Sequence, residues 1–332
     1  MGSNFIRYLY HKYGYCHIFN LDALTYSGNM ENLRDIEHIE RNKKNKRYEF
    51  IKGNICNAKL ISNLFKKYKF DAVINFAADT HVDRSIINAK HFVETNVTGL
   101  NTLVSFVKEY KIKRFIQIST DEVYGDKLTG NSSENDAFRP SNPYAASKAA
   151  ADLLAQSYIR THGLPILIIR GSNNFGPYQY PEKLIPLAIT NVLLKEKVPI
   201  HGDGMQVRSW IHTQDFASAI DLVLHQAKDY SIYNVSGKGM TNLEIIRKIF
   251  KAAGENYSDF IDFVKDRPGG DRRYSPSSKK IKRDLGWTIE YPVDDYIKDT
   301  FLWYRENNKW WERIRDKNSF KHHYQKQKKS EY

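Results

Sequence analysis

A mostly parallel α/β sheet, covered by helices on both faces and joined to a smaller second domain, is the fold class the sequence predicts. Three observations carry it. Short β-branched runs alternate with longer helical patterns through the first half of the chain, as strand–helix–strand units do. The length of 332 residues exceeds one comfortable core and suggests two domains. A composition of 41% hydrophobic, 13% aromatic and 27% charged residues is that of an ordinary globular chain, which excludes a disordered tail protein, a collagen and a disulfide scaffold.

Taken in order, His17–Leu21 reads as a strand ending at Asp22, and Arg47–Lys52 as a second that closes on the turn Gly53-Asn54. Ala72–Ala77, Phe115–Ser119 and Pro165–Arg170 are the third, fourth and fifth. Between them run helical patterns at Ala58–Tyr68, Ala89–Tyr110 and Pro143–His162. Ligands of such sheets bind at the carboxyl ends of the strands. The second half is less regular. Gly171–Arg208 is rich in Asn, Gly and Pro with one helix at Pro186–Lys195; Ile232–Val235 reads as a strand, Asn242–Ala253 as an amphipathic helix, Asp266–Asp271 as a loop and Tyr296–Trp311 as a closing helix. The expected division is 1–170 for a first domain, to which a strand near 210–235 returns, 171–312 for a second, and 313–332 as a basic, frayed tail.

The net charge of +13 is unevenly spread. Residues 313–332 hold seven Lys/Arg against two acids, and Arg41–Arg47 holds five cations. Such runs read as solvated faces; with no helix-turn-helix, zinc finger or aromatic-basic RNA motif beside them, nucleic acid is not an expected partner. The two cysteines, Cys16 and Cys56, lack metal or redox-pair spacing, so no metal is expected and a reducing cytoplasm is. The longest apolar run, Leu164–Ile169, falls short of the ~18–20 residues that span a bilayer. The start of the chain lacks the features of a signal peptide. A soluble intracellular protein is the expectation.

Candidate chemistry sits at the strand ends. After the fourth strand comes Ser119-Thr120-Asp121-Glu122-Val123-Tyr124-Gly125, and further on Asn142-Pro143-Tyr144-Ala145-Ala146-Ser147-Lys148. Pro143 fits a first helical turn, which puts Tyr144 and Lys148 on one face at i and i+4. A phenol of ordinary pKa near ~10 is a poor base at neutral pH, and a close ammonium lowers it toward one able to deprotonate a sugar hydroxyl. Asp22 ends a strand 20 residues after Gly2, where a carboxylate can accept both hydroxyls of an adenosine ribose.

These motifs, with Leu21-Asp-Ala-Leu-Thr-Tyr-Ser-Gly-Asn29, Phe76-Ala-Ala-Asp-Thr-His-Val-Asp-Arg-Ser85, Ser172–Pro186 and Asp266–Tyr274, give the chain from Gly2 to about Trp311 a specific resemblance. It resembles the nucleotide-sugar dehydratases of the extended short-chain dehydrogenase/reductase family, and among them the dTDP-glucose 4,6-dehydratases. The Thr-Asp-Glu triplet separates these from the epimerases of the same family. The resemblance implies a Rossmann-type domain that binds NAD, a mixed α/β substrate domain, and a homodimer through a four-helix bundle of Ala89–Tyr110 and Pro143–His162. It implies removal of water from a nucleoside-diphosphate glucose: Tyr144, Lys148 and Thr120 serve the C4 hydroxyl, Glu122 takes the C5 proton, and Asp121 protonates the departing C6 hydroxyl. It places Asp22, Ala23, Leu24, Thr25, Asn54, Ile55, Ala77, Ala78, Thr80, Thr95, Tyr144, Lys148 and Asn174 around NAD. The sugar nucleotide falls to His81, Thr120, Asn173, Lys183, Leu184, Pro199, Ile200, Arg208, Asn242, Asp266 and Arg267.

The sequence departs from the family pattern in three ways. It opens at what reads as the third glycine of the dinucleotide turn, without the strand and two glycines that come before; the expectation is a start about ten residues upstream or weak NAD binding, since amides of that turn cradle the pyrophosphate. Asn54 stands for an aspartate beside the adenine. Gly270 stands for a histidine and Ser209 for an aspartate, which bears on dTDP against UDP. Two other readings remain in view: a UDP-sugar 4-epimerase or decarboxylase, and a non-catalytic relative without its cofactor.

Overall fold

β-Branched residues crowd their own helical turns and suit a pleated surface, and the runs above form strands within two residues of the expected bounds. The computed structural model describes residues 1–257 and 260–329. The first half runs α1 (Gly2–Lys12), β1 (Ile18–Asp22), α2 (Arg34–Glu40), β2 (Tyr48–Lys52), α3 (Ala58–Lys67), β3 (Ala72–Asn75), α4 (Val82–Ile87), α5 (Lys90–Val93), α6 (Leu100–Glu109), β4 (Arg114–Thr120), α7 (Pro143–His162) and β5 (Ile166–Gly171). The second runs β6 (Asn173–Phe175), α8 (Leu184–Leu193), β7 (Val198–His201), β8 (Val207–His212), α9 (Thr213–Gln226), β9 (Ile232–Val235), β10 (Lys238–Thr241), α10 (Asn242–Ala253), β11 (Ile261–Val264), α11 (Lys279–Leu285), α12 (Val293–Glu306), α13 (Asn308–Arg315) and α14 (Asn318–Lys329).

The main sheet is parallel, in the order β3-β4-β5-β9. β5 is buried along its whole length, as a strand covered on both faces must be. β1 and β2 form a separate parallel pair. No ladder joins β1 to β3; a cavity of about 1450 Å³ reaches between them and is lined by both strands. β1 and most of β3 are accordingly only half-buried, unlike β4 and β5. The cavity thus separates β1 from β3 beside α1.

A second core gathers α8, α10, α12 and α13 with β7 and β8. Helix ends follow local chemistry. Asn142 accepts from Ala145 N (2.9 Å) at the start of α7, with Pro143 in its first turn, and Gly163 ends the helix in the left-handed region (φ 59°). Thr241 and Glu244 form a capping box on α10.

Three expectations are corrected. The helix expected over 89–110 is interrupted by a π-helical segment, Glu94–Gly99, between α5 and α6. The closing helix divides at Asn307 into α12 and α13. The tail read as frayed carries α14, whose Phe320, His323, Tyr324 and Gln327 are buried. This i, i+3, i+4, i+7 stripe is masked in the sequence by the lysines around it. Among the described residues no helix is long and apolar enough to cross a membrane.

Candidate active site

The carboxyl end of β4 meets the start of α7 at the cavity. Thr120 is the last residue of β4, and its hydroxyl accepts from Glu122 N (3.3 Å), which tightens Asp121–Tyr124 into a 3₁₀ turn. That turn puts Asp121 and Glu122 on the cavity wall together with Thr120 and Tyr144. Asp121 is buried, and its Oδ2 has no hydrogen-bond partner. Burial first, then the charge of Glu122, pushes its pKa up to about 8. Glu122 is also raised by burial, but Arg208, Arg267 and Lys183 oppose the shift. Two adjacent carboxyls therefore differ in their hold on a proton: Asp121 keeps one at neutral pH and Glu122 is the readier to ionise.

Tyr144 departs from expectation. Burial, reinforced by the charges of Glu122 and Asp121, raises its phenol well above the ordinary value, while a hydrogen bond with Thr120 draws it back in part. Lys148 does share its helix face, but its ammonium donates to the Ile118 carbonyl (2.6 Å), and burial lowers its pKa to about 8. The phenol is therefore raised on balance, with burial as the largest cause.

Most of the other expected residues reach the same cavity. Asp22, Ala23, Leu24, Thr25, Asn54, Ile55, Ala77, Ala78, Thr80, Thr95 and Asn174 line the cavity, as do His81, Asn173, Lys183, Leu184, Pro199, Arg208, Asn242, Asp266 and Arg267. Lys148 and Ile200 do not: Lys148 is turned to the Ile118 carbonyl, and Ile200 points into the second core because the β7 register turns Pro199 and His201 outward. Of the departing positions, Gly270 reaches the cavity, whereas Ser209 is turned to the Tyr274 carbonyl.

The walls suit a dinucleotide. Asn174 Oδ1 and Ser119 Oγ, on residues that line the cavity, are buried without partners, as groups awaiting a polar ligand are. Met1–Asn4, at the start of α1, also reach the cavity. Asp22 Oδ1 accepts from Leu24 N (2.7 Å) and orders the loop after β1. The π segment brings Thr95 to the wall; Thr95 Oγ1 donates to Asp79 Oδ2 (3.1 Å) and Asn96 Nδ2 to Ser147 Oγ (2.8 Å).

Several residues escaped the sequence reading. Tyr274 donates to Asp271 and stacks under the Arg208 guanidinium (4.3 Å). Asp83 receives Arg267 Nη1 (2.9 Å), and Glu182 receives Arg84 Nη2 (2.9 Å). Both acids lie inside quoted motifs, so an acid beside a cation was the available signal. His81, Glu182 and His323 bring ligand atoms within 4.8 Å of one another, but Arg84 already neutralises the carboxylate, which favours a packed polar cluster over a cation site.

The family model described as GDP-mannose 4,6 dehydratase matches residues 1–300. A dTDP-glucose 4,6-dehydratase of Streptomyces niveus is 43% identical over 296 residues, covering 89% of this chain and 85% of that one. Crystal structures of two dTDP-glucose 4,6-dehydratases superpose closely. That from Streptomyces venezuelae, with NAD and a second ligand bound, is 41% identical with a TM-score of 0.89; that from Bacillus anthracis, in complex with NAD, is 40% identical with a TM-score of 0.86. Each comparison covers 94% of this chain and 96% of the other.

Proposed function

The chain belongs to the GDP-mannose 4,6 dehydratase family, and from that premise we propose that it dehydrates dTDP-glucose to the 4-keto-6-deoxy sugar, with NAD as resident cofactor. The observation that carries this reading is the pair Asp121 and Glu122, adjacent on one cavity wall, with the Asp121 pKa pushed up to about 8 and the rise at Glu122 opposed by Arg208, Arg267 and Lys183. An elimination across C5–C6 needs an acid for one carbon and a base for the other; a 4-epimerase needs neither.

Bound NAD supplies the acceptance of hydride at C4 and its return at C6, so the reaction is redox-neutral and loses one water. Asp22, Ala23, Leu24, Thr25, Asn54, Ile55, Ala77, Ala78, Thr80, Thr95 and Asn174 hold it. Tyr144 accepts the C4 hydroxyl proton while the Thr120 hydroxyl orients that oxygen. The 4-ketone acidifies C5–H; Glu122 removes this proton and Asp121 gives its own to the leaving C6 hydroxyl. Lys183, Arg208 and Arg267 meet the diphosphate with charge-assisted bonds.

Incubation of the purified chain with NAD and either dTDP-glucose or UDP-glucose tests this by mass spectrometry. The expected product is lighter by one water and forms faster from dTDP-glucose. In heavy water it carries one deuteron at C5. A product of unchanged mass identifies a 4-epimerase instead.

A homodimer is the further part of this proposal. Val93, on α5, is 51% exposed and Leu153, on α7, is 58% exposed, and apolar positions at that exposure suit a four-helix seam formed with a second copy. Sedimentation at twice the mass of the chain is expected, and Leu153→Asp shifts the protein to a single-chain mass. Soluble substrate and cofactor assign this work to the cytoplasm.

A further inference from the structure

The C-terminal helix α14 is docked by two aromatic residues and ends on the substrate wall. Phe320 and Tyr324 join the second core, and the Tyr324 hydroxyl accepts from Asn191 Nδ2 (2.5 Å). One turn later Gln327, 5% exposed, reaches the cavity itself. Its Nε2 lies 3.2 Å from Asp83 Oδ2, 3.3 Å from His81 Nε2 and 3.4 Å from the Glu182 carbonyl. Asp83 holds Arg267 Nη1 with its other oxygen (2.9 Å), and Lys183, next to Glu182, donates to the Thr80 carbonyl (2.8 Å). One buried amide thus ties together two segments, 81–83 and 182–183, the first of which holds Arg267 through Asp83 and the second of which carries Lys183.

We propose that Gln327 is a positioning residue for sugar-nucleotide binding, acting through Asp83 on Arg267 and through the Glu182 carbonyl on Lys183. The inference rests on the reading of Arg267 and Lys183 as diphosphate ligands. The residue type matters. A neutral amide satisfies Asp83 Oδ2 while leaving the carboxylate charge to Arg267; an ammonium there would compete for that charge, and an apolar side chain would leave the oxygen buried and unpaired. Without the amide, Asp83 turns toward other donors, and Arg267 loses the orientation that makes a fork of donors better than a mobile cation.

Gln327→Met keeps the length and apolar stem and removes the amide, while Phe320 and Tyr324 still dock the helix. The expected result is a dTDP dissociation constant raised about tenfold and a KM for dTDP-glucose raised in parallel, with kcat changed less than about twofold. Affinity for thymidine, which has no diphosphate, stays unchanged, as does affinity for NAD. Tyr324→Phe, which loosens the same helix without touching the amide, is expected to bind dTDP as the parent does. An unchanged dTDP affinity in Gln327→Met, or an equal loss in Tyr324→Phe, overturns the inference. Arg267→Met separates its failure from that of the reading beneath it. If Arg267→Met binds dTDP as tightly as the parent, the diphosphate assignment itself is wrong. If Arg267→Met weakens dTDP binding and Gln327→Met does not, only the role of Gln327 falls.

Discussion

Glu122→Gln is expected to lower kcat by about 10²–10⁴-fold and to end the wash-in of solvent deuterium at C5, whereas Asp121→Asn loses a similar factor while C5 exchange persists. The two outcomes differ because the two carboxyls act at different atoms. Glu122 faces Arg208, Arg267 and Lys183, which favour its charged form against burial, so it is the group equipped to take a proton. Asp121 holds its proton until about pH 8, so it is the group equipped to give one. An amide at 122 has no basic oxygen for C5–H; an amide at 121 leaves the base intact but offers the leaving hydroxyl a far weaker acid. Mass spectrometry of recovered dTDP-glucose after incubation in heavy water distinguishes them. Equal exchange in both variants would mean that the acid and base roles are not divided in this way.

Stability moves in the opposite direction for Asp121→Asn. The Asp121 pKa is 3.8 in its ordinary setting and about 8 in the folded chain. Between those values the folded state binds a proton that the unfolded state has released, so the group's contribution falls as pH rises from about 4 to about 8. Asn cannot ionise and removes that penalty. The variant is expected to melt higher than the parent at pH 8, with the difference shrinking as pH falls toward 4. A strained acid kept for its chemistry is a familiar reason for a stability deficit at an active site.

How far the sequence carried the fold and the site depended on whether the signal was local. Asn142 and Pro143 announce a helix start through their own backbone preferences, and α7 begins at Pro143 as read. Thr120-Asp121-Glu122 follows an apolar strand and lies at its carboxyl end for the same local reason. What depended on distant packing was not legible. α14 presents a run of lysines and histidines whose buried face exists only against α8 and the loops at 81–83 and 180–182. Ile200 sits in a strand where either alternation is plausible until β11 fixes which side is core. The i, i+4 spacing of Tyr144 and Lys148 puts both on α7, but spacing does not report desolvation, which raises the phenol. The cavity that β1 and β3 share joins segments far apart in the chain, so it needed three dimensions.

Tyr144→Phe is expected to cost kcat about 10²–10⁴-fold at every pH while leaving dTDP affinity within about twofold, because Phe preserves the packing against Phe92 and Val82. The pH dependence of the parent separates the groups around this phenol. Burial and the charge of Glu122 hold it protonated, so forming the phenolate relies on positive charge nearby. Lys148 supplies that charge only below its own pKa of about 8, and Asp121 is likewise protonated only below about 8. Both requirements fail in the same direction, so kcat is expected to fall as pH rises through about 8, and to fall on the acid side as Glu122 takes up a proton. Lys148→Met removes one of the two alkaline requirements. It should lower the plateau by about 10²-fold and leave a single alkaline limb set by Asp121, while Asp121→Asn leaves one set by Lys148. If Lys148→Met instead retained full activity below pH 8, the ammonium would serve only to hold the Ile118 carbonyl at the end of β4, and the charge that tames Tyr144 would have to come from the cofactor alone.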